Sequence, residues 1–498
     1  MPESSSPPAP LTRDLLRELH AFLSLEAPFL IRDLPQVKTE NRLETALLER
    51  IASRFRTGPG FAEEELYPAV THQMAVEGGR RDLETLVRGF FERRRIKASL
   101  TSHERKLMLR TMLLTREVDD FLKRAFDKKE IRWGSFPSPQ KGFRSTGQEA
   151  IVGAALRLRR YPEYGQGETY RGDYISPLIR DLGALLMFLP DPLHPLLVQY
   201  GKTGTPVDGR DIHLGDFDRG VLPPAAPLAT ATQTLVGVAY AFKVRREDRV
   251  CVSFIGDGGS SLGEWHEAVN FAAAQRLNMV FVVENNQWAL GTHVSEQTAA
   301  RRFAAKAAGY GIPGVTLFGN DPEEVAAGLI WSADRARQGH GPTLVELITY
   351  RRAGHAHHDD DRFHGSSAAG IAGYEFPEES EAWELADPIA LYSRRLQKLG
   401  LLTEEQVAGM RRDVREEVSK AAGEATRAAW PEPSVYRSRV FAPTPSETPP
   451  APGQSGAKTM SYDEAIRQAM AEAMEHDDGV FVLGESREAE AGAERERR

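Results

Sequence analysis

Cysteine and long apolar runs are nearly absent from this 498-residue sequence. The single cysteine, Cys251, excludes a disulfide framework and a zinc site built from several cysteines, and its apolar neighbours are typical of a core position. No run of about 18 uncharged apolar residues occurs, which excludes a membrane-spanning helix and a membrane partner. Residues 1–10 lack the basic start and apolar centre of a secretory signal. We therefore expect a soluble, cytoplasmic protein.

A surplus of positive charge is also missing. The chain has 63 lysines and arginines against 71 aspartates and glutamates, which gives a net charge of −8. A general nucleic-acid-binding protein normally carries a basic face, so we expect no nucleic-acid partner. Apolar residues make up 41% of the chain, enough for a sizeable core. The length allows two or three domains of roughly 100–200 residues each.

Composition and apolar spacing divide the chain into six regions. Leu15, Leu19 and Leu23 recur at helical spacing and predict helices in the first hundred residues. Proline is concentrated within residues 437–458, which predicts a linker there. The end of the chain is almost entirely Arg, Glu, Ala and Gly. The predicted regions are a disordered lead at 1–10, a helical accessory region at 11–102, the main domain at 103–431, a linker at 437–458, a segment at 459–485 that contains a helix and then a strand at 480–483, and a charged tail at 486–498.

The main domain contains short apolar runs separated by amphipathic segments. The runs at 250–255, 279–284 and 344–350 predict buried parallel strands. Helical spacing between them predicts strand–helix–strand repeats. This order predicts an α/β fold, with a mostly parallel sheet flanked by helices and a helical N-terminal extension.

Two polar segments follow two of these predicted strands. Residues 256–259 are Gly-Asp-Gly-Gly, and residues 284–288 are Glu-Asn-Asn-Gln-Trp. Because the carboxyl ends of parallel strands meet at one edge of the sheet, we expect both segments at the ligand-binding edge. Either segment alone would indicate only a turn. The pair at this spacing predicts a diphosphate site.

The residue types at this edge suit a divalent cation that holds a diphosphate. Asp257 offers a carboxylate oxygen, Asn286 an amide oxygen, and the backbone near Trp288 a carbonyl oxygen. Mg²⁺ prefers octahedral oxygen coordination, which phosphate and water oxygens would complete. Gly258 and Gly259 let backbone N–H groups approach the phosphates at a helix N-terminus.

This pair of segments resembles the signature of thiamine-diphosphate enzymes, and the surrounding sequence resembles the E1α subunits of 2-oxoacid dehydrogenases. The resemblance covers about residues 103–430 and implies the thiamine-diphosphate-binding fold. The segments that carry it are Gly-Gln-Glu-Ala at 147–150, Gly-Glu-Trp-His-Glu-Ala at 263–268, Val-Ser-Glu-Gln at 294–297, Gly-Ile-Pro-Gly-Val at 311–315, Asp-Pro-Ile at 387–389 and Gly-Leu-Leu-Thr at 400–403.

The resemblance implies thiamine diphosphate and Mg²⁺ as cofactors, and roles for individual residues. The residues that match the metal-binding positions are Asp257, Asn286 and Trp288, and those that match the glycines under the diphosphate are Gly258 and Gly259. Arg180 matches an arginine that holds the phosphates, a task that suits a bidentate guanidinium. Ile179 stands where the family has a tyrosine beside that arginine, so one contact is lost.

Residues 227–230, Pro-Leu-Ala-Thr, resemble a segment of the branched-chain subgroup. There Leu228 would wedge the cofactor into its bent form, and backbone atoms of Ala226 and Leu228 would meet the aminopyrimidine ring. Thr230 matches a K⁺ ligand of that subgroup. Ala225 and Ala231 depart from neighbouring ligands in the family, which puts a structural K⁺ in doubt.

Residues 350–360 resemble the family's active-site loop. His355 matches the catalytic histidine near the cofactor and the lipoyl group, and Arg351 matches the arginine that anchors the loop. Ala356 stands where animal enzymes carry a regulatory phosphoserine, so that switch is absent. From the residues alone, the three histidines and three aspartates within residues 355–361 leave a metal site, a solvated loop and a catalytic role open. His213 resembles a further family histidine near the cofactor.

A thiamine enzyme also needs a carboxylate at N1′ of the aminopyrimidine. In this family the β-type subunit supplies it, so the resemblance implies an E1β-type partner. Residues 459–485 resemble the beginning of such a subunit, but the likeness stops at Ser486, before that glutamate. Glu485 does not match the activating residue. The chain therefore resembles an α subunit fused to a clipped β-subunit N-terminus.

Two functional hypotheses follow. In the first, the chain is an enzyme subunit that decarboxylates a 2-oxoacid with its β partner and passes the acyl group to the lipoyl domain of E2. The segment at 227–230 favours branched-chain 2-oxoacids over pyruvate. In the alternative, the chain is a non-catalytic binding or assembly protein with the same fold and no working partner. Ile179 and the clipped segment favour that alternative.

Overall fold

The computed structural model describes residues 11–34, 36–56, 64–133, 135–137, 142–367, 370–437 and 459–482. The chain divides into two compact units, Met1–Tyr436 and Arg437–Arg498. The predicted lead and charged tail lie outside the described residues, as do Glu485 and the linker from residue 438 onward.

Helices dominate both units. The α-helices of the described residues are α1 (Arg13–Glu26), α2 (Glu40–Arg54), α3 (His72–Ala98), α4 (Ser102–Asp127), α5 (Leu182–Phe188), α6 (Leu193–Gln199), α7 (Thr230–Val244), α8 (Gly263–Ala274), α9 (Pro322–Arg335), α10 (Asp360–His364), α11 (Pro377–Glu384), α12 (Pro388–Lys398), α13 (Glu404–Arg427) and α14 (Tyr462–His476). The strands are β1 (Glu65–Tyr67), β2 (Val70–Thr71), β3 (Arg132–Trp133), β4 (Phe136–Pro137), β5 (Tyr174–Ser176), β6 (Cys251–Gly256), β7 (Met279–Asn285), β8 (Trp288–Ala289), β9 (Thr292–His293), β10 (Gly314–Phe318) and β11 (Thr343–Ile348).

A five-stranded parallel sheet with the order β10-β11-β7-β6-β5 forms the centre of the first unit. Strands β6 and β7 are buried at every position, as expected for central parallel strands covered on both faces. The predicted α/β class is confirmed. The predicted strands at 250–255, 279–284 and 344–350 are present, with ends that differ by one or two residues.

Apolar layers cover both faces of the sheet. Because side chains alternate along a strand, Val252 and Phe254 pack into one layer, which α4, α5, α9 and α13 complete. Cys251 and Ile255 point to the other layer, together with α7 and α8. Cys251 is therefore a buried core residue, as its apolar neighbours predict.

Helices α1, α2 and α3 build a separate apolar cluster near the edge strand β10. Helix α3 also packs against α9, and the contact is close at Gly89, where a Cβ atom would lie 2.5 Å from the Trp331 ring. At the end of α3, Lys97 donates to Asp321 at 3.1 Å. The N-terminal helices are thus fixed to the α/β core.

The second unit contains α14, which begins after the Ser461 cap and has no buried residue. The predicted strand at 480–483 is wrong for residues 480–482, which form no strand. Val480 N–H instead donates to Asp477 O at 3.0 Å, which closes a turn. A strand requires a neighbouring strand to share its backbone hydrogen bonds, and apolar composition alone does not provide one. Leu483 lies outside the described residues.

Candidate active site

Strands β6 and β7 end side by side, with Gly256 opposite Glu284. Asp257 and Asn286 follow these strand ends and are buried, with 2% and 0% of their surfaces exposed. A short helical turn, Gly258–Ser261, leads from Asp257 into α8. The structure therefore brings the two polar segments to one edge of the sheet, as the sequence predicts.

The Asp257 carboxylate has one satisfied and one unsatisfied oxygen. Its Oδ1 atom accepts the Gly258 N–H at 2.8 Å, whereas its buried Oδ2 atom has no hydrogen-bond partner among the described residues. Burial raises the pKa of Asp257, and the nearby Arg180 only partly counters this. A cation at Oδ2 would satisfy the oxygen and favour the charged carboxylate, so the site fits a metal ion.

Asn286 is fixed in orientation by two hydrogen bonds. Its Nδ2 atom donates to Gln148 Oε1 at 2.8 Å, and its Oδ1 atom accepts the Trp288 N–H at 3.1 Å. The Trp288 ring is buried against Tyr374 and Phe376. The Asn286 amide oxygen therefore lies beside the Trp288 backbone N–H.

The glycines at positions 256, 258 and 259 have no Cβ atom, and this allows side chains from other parts of the chain to approach the sheet edge. A Cβ atom at Gly256 would lie 2.5 Å from Arg180 Nη2, and one at Gly258 would lie 2.5 Å from Ala289 Cβ. A Cβ atom at Gly259 would lie 3.3 Å from Leu228 Cδ1. The side chains of Arg180 and Leu228 thus lie close to residues 256–259, the first of the two polar segments.

Arg180 lies at the same edge with a poorly satisfied guanidinium group. Its Nε atom is 3.8 Å from Glu284 Oε2, and its buried Nε and Nη2 atoms have no hydrogen-bond partner among the described residues. Burial, followed by the neighbouring Asp181, raises the pKa of Glu284 well above its usual range. Ile179 is half-buried and offers no hydroxyl group. Arg180 is therefore a donor available to an anion.

Hydrogen bonds hold the loop after β11 in place. The buried Arg351 donates through Nη2 to Leu290 O at 2.9 Å and to the Tyr374 hydroxyl at 2.8 Å. Tyr374 in turn donates to Asp359 Oδ2 at 2.8 Å, which also accepts the His355 N–H at 3.1 Å. This chain of bonds fixes the backbone that carries His355.

The His355 ring is half-buried and packs edge-on against Phe143, with ring centroids 5.1 Å apart. Burial, with the positive charges of Arg180 and Arg351, lowers the pKa of His355 to about 4. The ring is therefore neutral at ordinary pH. The Arg351 N–H donates to Asn286 O at 3.3 Å, which places the start of the loop at the edge that carries Asp257.

The other loop histidines point to different surroundings. His357 is buried near Asp119, His358 is exposed, and His364 pairs with Glu375 at 2.8 Å. Across the described ranges, no group of three His, Cys, Asp or Glu side chains is placed to hold a metal ion. The loop residues are therefore not assembled as a metal cluster.

The remaining predicted positions are less closely tied to this edge. Ala226, Leu228 and Thr230 are exposed around the start of α7. His213 pairs through Nδ1 with Asp211 Oδ1 at 2.8 Å. No contact in the described structure joins His213 to the strand-end residues.

Several residues to which the sequence pattern gave no role support the site. Gln148 holds Asn286 from 138 positions away in the chain. Asp119 accepts Arg144 Nε at 3.1 Å and the backbone N–H groups of Ser145 and Thr146, which fixes the segment that carries Phe143. The available signal was an aspartate at helical spacing from the apolar residues Met112 and Leu122 on the buried face of α4.

Comparisons with known proteins agree with this geometry. The family described as "Dehydrogenase E1 component" matches residues 165–434. The chain is 33% identical over 349 residues to 2-oxoisovalerate dehydrogenase subunit alpha of Bacillus subtilis (strain 168), a match that covers 69% of this chain and 97% of the relative. It is 39% identical over 279 residues to 3-methyl-2-oxobutanoate dehydrogenase subunit alpha of Mycobacterium tuberculosis (strain ATCC 25618 / H37Rv), covering 55% and 68%. It is 35% identical over 204 residues to pyruvate dehydrogenase E1 component subunit alpha of Bacillus subtilis (strain 168), covering 41% and 53%.

The parallel sheet and the ligand edge are those of an α/β thiamine-diphosphate-binding enzyme. The chain belongs to the dehydrogenase E1 component family. Among the described residues, no helix is long and apolar enough to cross a bilayer.

Proposed function

We propose that this chain is the α subunit of a branched-chain 2-oxoacid dehydrogenase E1 component and that it acts with a β-type subunit. The observation that carries the proposal is the pair of unsatisfied buried groups at one sheet edge, Asp257 Oδ2 and the Arg180 guanidinium. The substrate preference rests on two relatives whose names specify branched-chain 2-oxoacids and which match over 97% and 68% of their lengths. The pyruvate relative matches over 53% of its length.

Mg²⁺ and the diphosphate would be held by groups from both strand ends. Asp257, Asn286 and the backbone carbonyl of Trp288 would bind Mg²⁺, and Arg180 would donate to phosphate oxygens. The backbone at Gly258 and Gly259 would face the phosphates. Thiamine diphosphate, when bound, supplies the nucleophilic carbon that attacks the ketone of the 2-oxoacid.

Leu228 and the backbone of Ala226 would support the cofactor's rings. The contact between Leu228 and Gly259 favours this assignment, because it brings the start of α7 against the diphosphate segment. The residues around Thr230 do not fit a K⁺ site. Thr230 is exposed, and Ala225 and Ala231 provide no side-chain oxygen beside it.

His355 would act when the acyl group passes to the lipoyl arm of an E2 partner. Its neutral imidazole can both donate and accept a hydrogen bond, and packing against Phe143 restricts its orientation. Asp359 holds its backbone. The ring is thus positioned by its neighbours rather than left to move freely in the loop.

A partner subunit would cover the apolar rim of this edge. Leu228, Leu262, Leu290 and Phe376 are between 38% and 59% exposed, although Leu228 packs at Gly259 and Phe376 contacts the buried Trp288. Exposed apolar side chains that border a site are typical of a protein interface. The β-type partner would also bring the carboxylate that the aminopyrimidine requires.

The substrate assignment can be tested by reconstitution with a β-type subunit from a branched-chain relative. We expect the kcat/KM for CO₂ release from 2-oxoisovalerate to exceed that from pyruvate by about tenfold or more, because added methyl groups in an apolar pocket contribute discrimination of that order. A preference for pyruvate would contradict the substrate class. Absence of turnover with both acids, despite bound cofactor, would contradict the enzymatic role.

A further inference from the structure

A second cleft lies away from the strand-end site, where the N-terminal helices meet the edge of the sheet. Helices α1 and α3 form one wall, and β10 with α9 forms the other. Its volume is about 210 Å³. Since an apolar cavity of about 150 Å³ can hold benzene, this cleft has room for a small organic molecule. Its apolar wall is provided by Phe22, Leu25, Phe90, Val315 and Leu317.

Arg93 lines this cleft and is buried, with 8% of its surface exposed. Its Nη1 atom has no hydrogen-bond partner among the described residues, and its guanidinium lies over the Trp331 ring at 5.1 Å from the centroid. Burial lowers the pKa of Arg93 to about 10, and the attraction of the carboxylates of Glu324, Glu26 and Glu92 only partly counters it. The side chain is thus a charged donor at neutral pH.

The carboxylates that line the cleft are already engaged by other cations. The ion pairs are Glu18 with Arg94, Glu26 with Arg302, and Glu324 with Lys97 at 3.5 Å. Arg93 forms no ion pair within 4.0 Å among the described residues. A buried charge without a close partner is unfavourable, and a ligand of opposite charge would relieve that penalty.

We propose that this cleft binds a short-chain monocarboxylate, with its carboxylate at Arg93 and its hydrocarbon tail against Phe22, Phe90 and Val315. The volume suits an acid of about four to six carbons, and an arginine fork matches a carboxylate in charge and geometry. Simple branched fatty acids and 2-oxoacids share this chemistry. The site is separate from the strand-end residues, so it does not depend on the proposed catalytic function.

Titration calorimetry on the full chain without cofactor tests the proposal with three probes. Isovalerate and 2-oxoisovalerate carry the carboxylate, and 3-methylbutan-1-ol carries the same tail without charge. We expect each acid to bind with one molecule per chain. The affinity for the alcohol should be lower by about tenfold or more. The acid that binds more tightly shows whether the cleft prefers a branched fatty acid or a 2-oxoacid. Equal affinity for the alcohol and both acids would overturn the proposal.

Variants locate the binding. Arg93→Met should lower the affinity for both acids to that for the alcohol, whereas the exposed Arg88→Met on the same helix should leave the affinity unchanged. Leu25→Trp should weaken binding about tenfold by filling the half-exposed mouth while Arg93 remains, and it decides the matter if Arg93→Met fails to fold. Unchanged binding in Leu25→Trp would overturn the proposal. So would loss of binding in Asp257→Ala, because the acids would then occupy the strand-end site.

Discussion

Among individual residues, Asp257 has the clearest expected effect, because its buried Oδ2 atom lacks a partner and its carboxylate is the anionic group in the proposed metal site. Asp257→Ala should weaken Mg²⁺-dependent binding of thiamine diphosphate by about 100-fold or more, since even residues behind a metal ligand contribute about 10–100-fold. Calorimetry with and without Mg²⁺ measures this effect. The exposed Asp413→Ala is the control, and unchanged affinity in a folded Asp257→Ala chain would exclude the metal assignment.

His355 gives a prediction about pH. Burial and nearby arginines lower its pKa to about 4 in the folded chain, whereas an unfolded histidine titrates near 6.5. Between about pH 6.5 and about pH 4, the histidine is protonated in the unfolded state but not in the folded state. This group therefore lowers the free energy of unfolding as pH falls through that range.

Histidine NMR on the cofactor-free chain checks this value directly. The His355 signals, assigned by comparison with His355→Gln, should not titrate between pH 5.5 and 8. A midpoint near 6.5 for His355 would show that the ring is not held in this environment.

The strand-end residues could be predicted from the sequence, but their supports could not. Asp257 and Asn286 follow apolar runs directly, so local pattern and parallel pairing place them together. Gln148 lies 138 positions from Asn286, and no spacing rule connects them. The burial of Arg93 could not be predicted from the sequence either. An arginine in a helix is normally solvated, and it is the packing against Trp331 that buries this one.

Among the secondary-structure elements, pattern predicted the central strands and missed the edges of the sheet. Strands β6 and β7 are continuous apolar runs with buried residues throughout, which is a strong signal. Strand β5 spans three residues, and β10 is only partly buried, so neither gives a clear pattern. The segment at 480–482 has strand composition but forms none, because pairing rather than composition makes a strand.

Close packing between elements gives a stability prediction at Gly153. A Cβ atom there would lie 2.3 Å from the Pro322 backbone oxygen at the start of α9. Gly153→Ala should lower the free energy of unfolding by about 1–3 kcal/mol through overpacking. Gly237→Ala in α7, where nothing lies within 4 Å, should raise it by about 0.5–1 kcal/mol. Urea denaturation distinguishes the two, and equal midpoints would contradict the packing.

For the molecule as a whole, the described residues bring together the groups that we propose to hold the diphosphate, and apolar side chains beside them are exposed. Asp257 is buried and Arg180 is half-buried at the sheet edge, whereas Leu228 and Leu290 remain 43% and 59% exposed beside it. An exposed apolar border fits a large subunit interface. We therefore expect the chain to bind cofactor weakly by itself and to need a β-type subunit for catalysis.

The most direct test is CO₂ release from 2-oxoisovalerate, measured with thiamine diphosphate and Mg²⁺ before and after addition of a β-type subunit. The purified chain alone should give no turnover above background, because we propose that the β-type partner supplies the aminopyrimidine carboxylate, and the mixture should decarboxylate the acid. Robust turnover by the isolated chain would show that it contains its own activating carboxylate and would contradict the half-site architecture.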